Sequence, residues 1–86
     1  MRVYRIKLPD GRYLQRLDEG EPIWTEDKDA ARWWRRPRGG AENTVDWLLR
    51  LGKLPTEGRP ARHRDNPAAY VDWQDEEEPM APPGDD

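Results

Sequence analysis

The start of the chain alternates between apolar and polar side chains, which is the pattern of a β-strand with one buried face. Within residues 2–8, Tyr4, Ile6 and Leu8 fall on one side, and we expect that side to face the core. The odd-numbered positions, Arg5 among them, are then expected to face solvent.

A turn signal follows this strand at residues 9–11, Pro-Asp-Gly. Proline presets φ, aspartate bonds its own backbone, and glycine accepts a positive φ. Residues 12–17 are therefore expected to return as the second strand of an antiparallel hairpin. Residues 18–22 interrupt the pattern, and the short apolar run 23–25 predicts a third strand or an isolated bridge.

Two helices are predicted in the middle of the chain. The first begins at Thr25, a good N-cap, and runs to Trp34, with acidic side chains in its first turn. The second covers residues 41–51 and ends at Gly52, a residue suited to a left-handed C-cap. Its apolar positions share one stripe, which comprises Ala41, Val45, Leu48, Leu49 and Leu51.

The last part of the chain combines a loop, a strand and an acidic tail. Residues 53–67 are rich in proline and charge and predict an extended loop, and residues 68–73 alternate again as a final strand. Residues 74–86 are acidic and proline-rich, lack periodicity, and are expected to be disordered. We therefore predict one α+β domain over residues 1–73, ordered β-β-(β)-α-α-β, with a small antiparallel sheet and two helices on one face.

Charge is divided unevenly along this chain. Residues 1–71 carry 15 basic and 11 acidic side chains, whereas residues 72–86 carry seven acidic side chains and no basic one. Phenylalanine is absent, but there are five tryptophans and three tyrosines. Because each aromatic ring buries a large area, most tryptophans are expected in the core, with one or two left for a partner.

The chain offers little for catalysis or metal binding. It has no cysteine and a single histidine, His63. We therefore predict no metal site, no cofactor and no catalytic residue. A chain of 86 residues rarely encloses a substrate cleft, which favours a protein that is not an enzyme. No stretch approaches the ~20 apolar residues of a membrane span, so no membrane contact is expected.

The densest candidate site is a basic segment with two tryptophans, for which three explanations stand. Its arginines could complement the dipole of a helix C-terminus, contact a protein partner, or grip nucleic-acid phosphates while the rings stack on bases. Residues 59–64 add a second basic stretch. The candidate partner-binding residues of the first segment are Arg32, Trp33, Arg35, Arg36 and Arg38.

Two tryptophans lie at the margins of the predicted apolar stripes, Trp33 in the first helix and Trp47 in the second. A half-exposed tryptophan beside arginine is the usual composition of an interface anchor. We therefore expect at least one of the two to be exposed, and we count Trp47 among the candidate partner-binding residues.

The acidic tail is the remaining candidate. It could imitate nucleic-acid phosphates and occupy a basic groove on a partner. The alternative is a solubilising tail that also screens the arginines of the body. The candidate residues in it are Asp75, Glu76, Glu77 and Glu78.

The first half of the chain resembles small proteins of bacteriophages and mobile elements. These often open with a strand, a DGxYL turn and a WT pair, followed by a helix with alanine and an aromatic near its end. The resemblance covers roughly residues 3–50 and implies a fold, not an activity. In size, acidity and lack of catalytic groups the chain is also similar to anti-CRISPR proteins. The matching residues are Tyr4, Ile6, Lys7, Leu8, Asp10, Gly11, Tyr13, Leu14, Trp24, Thr25, Ala31 and Trp34.

The similarity to anti-CRISPR proteins implies a non-enzymatic inhibitor in the cytoplasm of a bacterial host. Its expected partner is a protein or ribonucleoprotein defence complex, with a type I CRISPR effector complex the most specific expectation. It would block nucleic-acid binding or nuclease recruitment on that partner. The alternative is a small nucleic-acid-binding accessory protein that uses the basic stretches.

Overall fold

The computed structural model describes residues 1–54 and 69–84. The fold is α+β, with one antiparallel sheet in the strand order β3-β2-β1-β4. Within the described residues there is one α-helix, α1 (Glu42–Leu51), and it contacts one face of the sheet. The strands are β1 (Arg2–Lys7), β2 (Tyr13–Asp18), β3 (Glu21–Thr25) and β4 (Tyr70–Asp75).

The predicted hairpin between β1 and β2 is confirmed. The Leu8 N–H donates to the Arg12 carbonyl at 2.8 Å, and the Gly11 N–H donates to the Leu8 carbonyl at 2.9 Å. Gly11 adopts a φ of 98°, a conformation that side-chain-bearing residues rarely take. The two strands pair at Lys7 and Tyr13, next to this turn.

Away from the turn, residues 31–34 lie between β1 and β2 and bond to both. The Arg32 N–H donates to the Leu14 carbonyl of β2 at 2.9 Å. Tyr4 of β1 and Trp34 exchange both backbone hydrogen bonds, at 2.8 and 2.9 Å. This segment therefore acts as a short antiparallel strand on β1.

The helix predicted from Thr25 to Trp34 is wrong. A single 3₁₀ turn, Lys28–Ala30, takes its place, and Asp27 caps that turn by accepting the Asp29 N–H. The backbone is extended from Ala31, so the consecutive tryptophans point to opposite sides of the sheet and both rings are buried. A helix would place them only about 100° apart, with one ring at the margin of the core.

The second predicted helix matches α1 to within one residue. Gly52 ends it with a φ of 66°, and its N–H donates to the Leu48 and Leu49 carbonyls. Leu51, expected in the apolar stripe, is exposed instead. Its position round the helix is about 60° from Leu48, on the side of Trp47, which turns it away from the sheet.

The main core lies between α1 and the sheet. Its largest side chain is Trp34, and the other buried members are small or aliphatic side chains from the strands, the helix and the segments next to them. The buried members are Ile6, Leu8, Leu14, Trp34, Ala41, Leu48, Leu54 and Ala69.

The opposite face of the sheet is also covered, which corrects a second expectation. Val3, Arg5 and Trp33 are buried there, although the alternation of β1 placed the first two in solvent. Residues 76–84, which we call the C-terminal strap, hydrogen-bond to this side of the molecule. The expected tail 74–86 is therefore not a disordered segment throughout. Gln74 and Asp75 belong to β4, and the strap follows.

We predict that Trp34→Ala destabilises the fold by about 3–5 kcal/mol, because it removes the largest ring from the core and leaves a cavity. Trp73→Ala is the matched control. That ring is 49% exposed on β4 and lies over Arg2, so its removal should cost about 1 kcal/mol or less. Urea unfolding of both variants measures the difference, and equal losses would contradict this core assignment.

Candidate partner-binding surfaces

Trp33 and Trp47 have opposite environments. The ring of Trp33 is fully buried, and its Nε1 donates to the Ala81 carbonyl of the strap at 2.6 Å. Trp33 is therefore not an exposed anchor, because the strap covers it. Trp47 is 40% exposed, which confirms the expectation that one of the two reaches the surface.

Trp47 lies in an open groove of about 660 Å³ between α1, Leu17 of β2, Arg32 and the glycines just before α1. Arg50 follows it by three residues and so emerges on the same side of the helix. The tip of the indole lies 4.0 Å from where a Cβ would stand on Gly20 in the β2–β3 turn. The other lining residues are Leu17, Arg32, Gly39, Gly40, Asn43, Thr44 and Asp46.

The charge of this groove is mixed. Arg32 and Arg50 line it together with Asp46. The Arg32 guanidinium also lies 5.6 Å from the centre of the Trp34 ring, which holds the arginine at the boundary between the core and the groove. A partner group that fits here would combine an apolar surface for the indole with acidic groups for the two arginines.

The basic segment does not form one continuous patch, because extended backbone sends alternate side chains to opposite sides. Arg32 lines the groove and also approaches Gly84 of the strap. Arg35 lies on the strap side, 5.1 Å from the centre of the Trp33 ring. Arg35 also pairs with Glu78 of the strap at 2.6 Å. Arg36 and Arg38 are exposed. The explanation by a helix C-terminus is wrong, since no helix forms there.

The strap begins at a buried ion pair. The Arg5 side chain is 3% exposed, and its guanidinium donates to Glu76 Oε1 at 2.6 Å. Lys28 approaches the other carboxylate oxygen at 3.1 Å and also donates to Gln74 at 2.7 Å. Glu76 thus joins β1, the 3₁₀ turn and the end of β4.

Burial of Arg5 makes Glu76 necessary. The hydrogen bond from Arg5 holds the pKa of the Glu76 carboxyl below its ordinary value against partial desolvation, and Lys28 adds to this effect. Arg5 Nε is buried with no hydrogen-bond partner within the described residues. Loss of the carboxylate would leave a buried guanidinium without a compensating charge.

The far end of the strap is held by backbone hydrogen bonds and close packing. The Gly84 N–H donates to the Trp33 carbonyl at 2.6 Å, next to a parallel bridge between Trp33 and Pro83. A Cβ on Gly84 would stand 2.5 Å from the Trp34 ring and 2.7 Å from Arg32 Nε. Because Trp34 is a core ring that cannot yield, only glycine fits at this position.

The four acidic candidates therefore divide into two pairs. Glu76 and Glu78 form ion pairs with the body of the protein, whereas Asp75 and Glu77 are exposed and form none within the described residues. His63 and the second basic stretch, residues 59–64, lie outside the described residues.

The features that hold the strap were not identified from the sequence. Arg5 occupies a polar position in an alternating strand, which is typical of a solvent-facing side chain. Lys28 falls within the predicted helix that does not form. The available signal was the run Pro-Met-Ala-Pro-Pro-Gly at residues 79–84, since such composition favours extended backbone and close approach at the glycine.

Within residues 1–54 and 69–84, no three acidic or histidine side chains are grouped as a metal site requires. No helix in these two ranges is long and apolar enough to cross a bilayer. No known protein family, curated protein or solved structure matches the chain.

We predict that Glu76→Gln destabilises the protein by about 3 kcal/mol at pH 7, the low end for a broken buried pair because Glu76 is partly exposed. The folded-state pKa of Glu76 is lowered, so its contribution is complete above its ordinary pKa and is lost as the pH falls through the folded value. Urea unfolding between pH 7 and pH 2 should therefore show a smaller pH dependence in this variant.

Glu77→Gln provides the control for that measurement. It makes the same change of charge one residue away, at a position with no ion pair in the described part of the chain. Its stability and pH dependence should match those of the wild type. Equal effects of the two substitutions would show that general charge, not the Arg5–Glu76 pair, stabilises the strap.

Proposed function

We propose that the protein is a non-catalytic binding protein that presents the Trp47 groove to a larger partner. The observation that carries this proposal is the half-exposed indole of Trp47 in a concave surface between Arg32 and Arg50. Tryptophan and arginine are the residues most enriched at the energetic centres of protein interfaces.

The other exposed aromatic side chains fit this role less well. Tyr70 and Trp73 lie on β4 at the edge of the sheet, and Trp73 is covered on one side by Arg2 at 4.5 Å. Neither side chain lines the groove. Trp47 combines exposure, a concave setting and neighbouring cations, which together allow a ring to be desolvated by a partner.

We further propose that the partner is a bacterial defence complex, with a type I CRISPR effector complex as the specific candidate. The resemblance to small phage proteins supports this choice, as does the similarity in size and acidity to anti-CRISPR proteins. Binding would then block nucleic-acid access or nuclease recruitment by steric exclusion, in the bacterial cytoplasm where such complexes act.

Nucleic acid is the second candidate ligand. One aromatic ring, two arginines and the backbone of a Gly-Gly turn in one groove are a composition that single-stranded nucleic acids bind. Asp46 in the same groove and the pairing of Arg35 with Glu78 oppose it. We therefore favour a protein partner.

The first test uses Trp47→Ala and the control Trp73→Ala. Affinity for a purified type I effector complex, and protection of phage in a strain with that immune system, are measured for both. Trp47→Ala should weaken binding about 30-fold or more, the loss of about 2 kcal/mol that an interface centre gives, with little change in melting temperature. Wild-type protein that neither binds nor protects would refute the partner class. Full binding by Trp47→Ala would show that the Trp47 groove is not the binding site.

The second test separates protein from nucleic acid. Binding of single-stranded DNA and RNA by the isolated protein should be weak at physiological salt, because acidic groups compete for the arginines. The competition is direct at Arg35, which Glu78 already pairs. Submicromolar affinity that falls steeply with salt, and falls further in Arg32→Gln or Arg50→Gln, would favour the nucleic-acid alternative.

A further inference from the structure

The C-terminal strap is bound to the rest of the protein in the manner of a peptide ligand. Its first part is held through acidic side chains, by Arg5 and Lys28 at Glu76 and by Arg35 at Glu78. Its last part is held by hydrogen bonds from its own backbone groups to Trp33. The close fit of Gly84 adds to this attachment. The surface beneath it, which we call the strap site, comprises Arg5, Lys28, Arg32, Trp33, Trp34 and Arg35.

We propose that the strap site is a recognition site for an extended acidic segment of a partner protein, and that residues 76–84 occupy it in cis. A partner segment would replace the strap and make the same contacts. This proposal does not require the Trp47 groove to be a binding site, although Arg32 borders both surfaces.

The contacts of the strap favour peptide over nucleic acid. The Trp33 carbonyl accepts a backbone N–H, and the Trp33 indole donates to a backbone carbonyl five residues after Glu76. A phosphodiester backbone has no donor to satisfy that carbonyl. Peptide addition to an exposed strand supplies both kinds of group, as in recognition by β-augmentation.

The strap also defines what the site selects. Acidic side chains are required at its first and third positions, where the basic groups lie. Glycine is required at its ninth position, because any Cβ there meets Trp34 and Arg32. The second and fifth positions, Glu77 and Met80, are exposed and are expected to tolerate substitution.

Replacement of the strap begins at its Gly84 end, where no buried ion pair holds it, and an acidic residue of the partner takes the place of Glu76 last, so that Arg5 keeps a counter-charge. The Arg35–Glu78 pair is more than half exposed at both side chains, and such pairs contribute little stability. The Met80 side chain makes no buried contact. Local opening from the Gly84 end can therefore uncover Trp33 and Arg35 while β4 remains paired with β1.

The test uses the full chain and a fluorescent peptide of residues 76–84. In the Gly84→Ala protein the cis strap is displaced by its own Cβ, so the site is open to the peptide in trans. We expect this variant to bind the peptide at least tenfold more tightly than the wild type does. Glu77→Gln protein, whose strap keeps all of its contacts, should bind it as weakly as the wild type.

Peptide variants then test the selection rule. A peptide altered at the second and fifth positions should bind the opened protein within about threefold of the original. A peptide with alanine in place of the glycine, or with glutamine at both acidic contact positions, should bind at least tenfold more weakly. If all of these peptides bind alike, the proposal is wrong.

Three further outcomes would overturn it. Equal peptide affinity of the wild-type and Gly84→Ala proteins would mean that the strap does not occupy the recognition site. Preference of the opened protein for a single-stranded oligonucleotide would assign the site to nucleic acid. Concentration-dependent dimers of the wild type in light scattering would show that the strap exchanges between copies of this chain.

A second variant tests the proposal even if the Gly84→Ala protein does not fold. The Glu78→Gln protein lacks the Arg35 ion pair but retains the buried Arg5–Glu76 pair, so its fold should persist. It should bind the peptide about threefold or more tightly than the Glu77→Gln protein does. If this variant folds and shows no gain over that control, the proposal fails even where Gly84→Ala cannot be purified.

Discussion

Neutralisation of the buried Arg5 guanidinium is the constraint on which the second side of the molecule depends. Arg5 lies in the central region of the sheet, where β1 pairs with β4, and its side chain is excluded from water. A buried charge needs a partner, and Glu76 supplies it from the residue that follows β4. The same carboxylate binds Lys28, so one side chain fixes the start of the strap and the position of the 3₁₀ turn.

Trp33 and Trp34 connect the strap side of the sheet to the main core on the other side. Extended backbone at residues 33 and 34 directs Trp34 into the core beneath α1 and Trp33 to the strap side. Each ring buries a large area, which a chain with one α-helix in its described part needs for stability. The strap then shields Trp33, and the core ring of Trp34 shapes the recess that admits Gly84.

Sequence patterns predicted the elements that depend on local signals. The Pro-Asp-Gly turn, the strands around it and the helix ending at Gly52 follow from backbone preferences and side-chain periodicity, and all of them form. The predicted helix through Trp34 does not form, because backbone pairing with Tyr4 and burial of two rings outweigh good capping residues. The strap site could not be predicted, because its contacts join residues about 40 to 70 positions apart. Trp47 was identifiable, since its place at the edge of the apolar stripe follows from helical geometry alone.

The ion pairs of the strap explain part of the uneven distribution of charge along the chain. Two acidic side chains of the strap form ion pairs with Arg5, Lys28 and Arg35. The strap therefore lowers the net positive charge of the side it covers. The groove around Trp47 lies on the other side of Arg32 and keeps its exposed indole and Arg50. Arg32 borders both surfaces, since it lines the groove and also contacts the position of Gly84. A segment that replaced the strap would meet the same side chain at its own glycine, so the position of Arg32 limits what can bind at either surface.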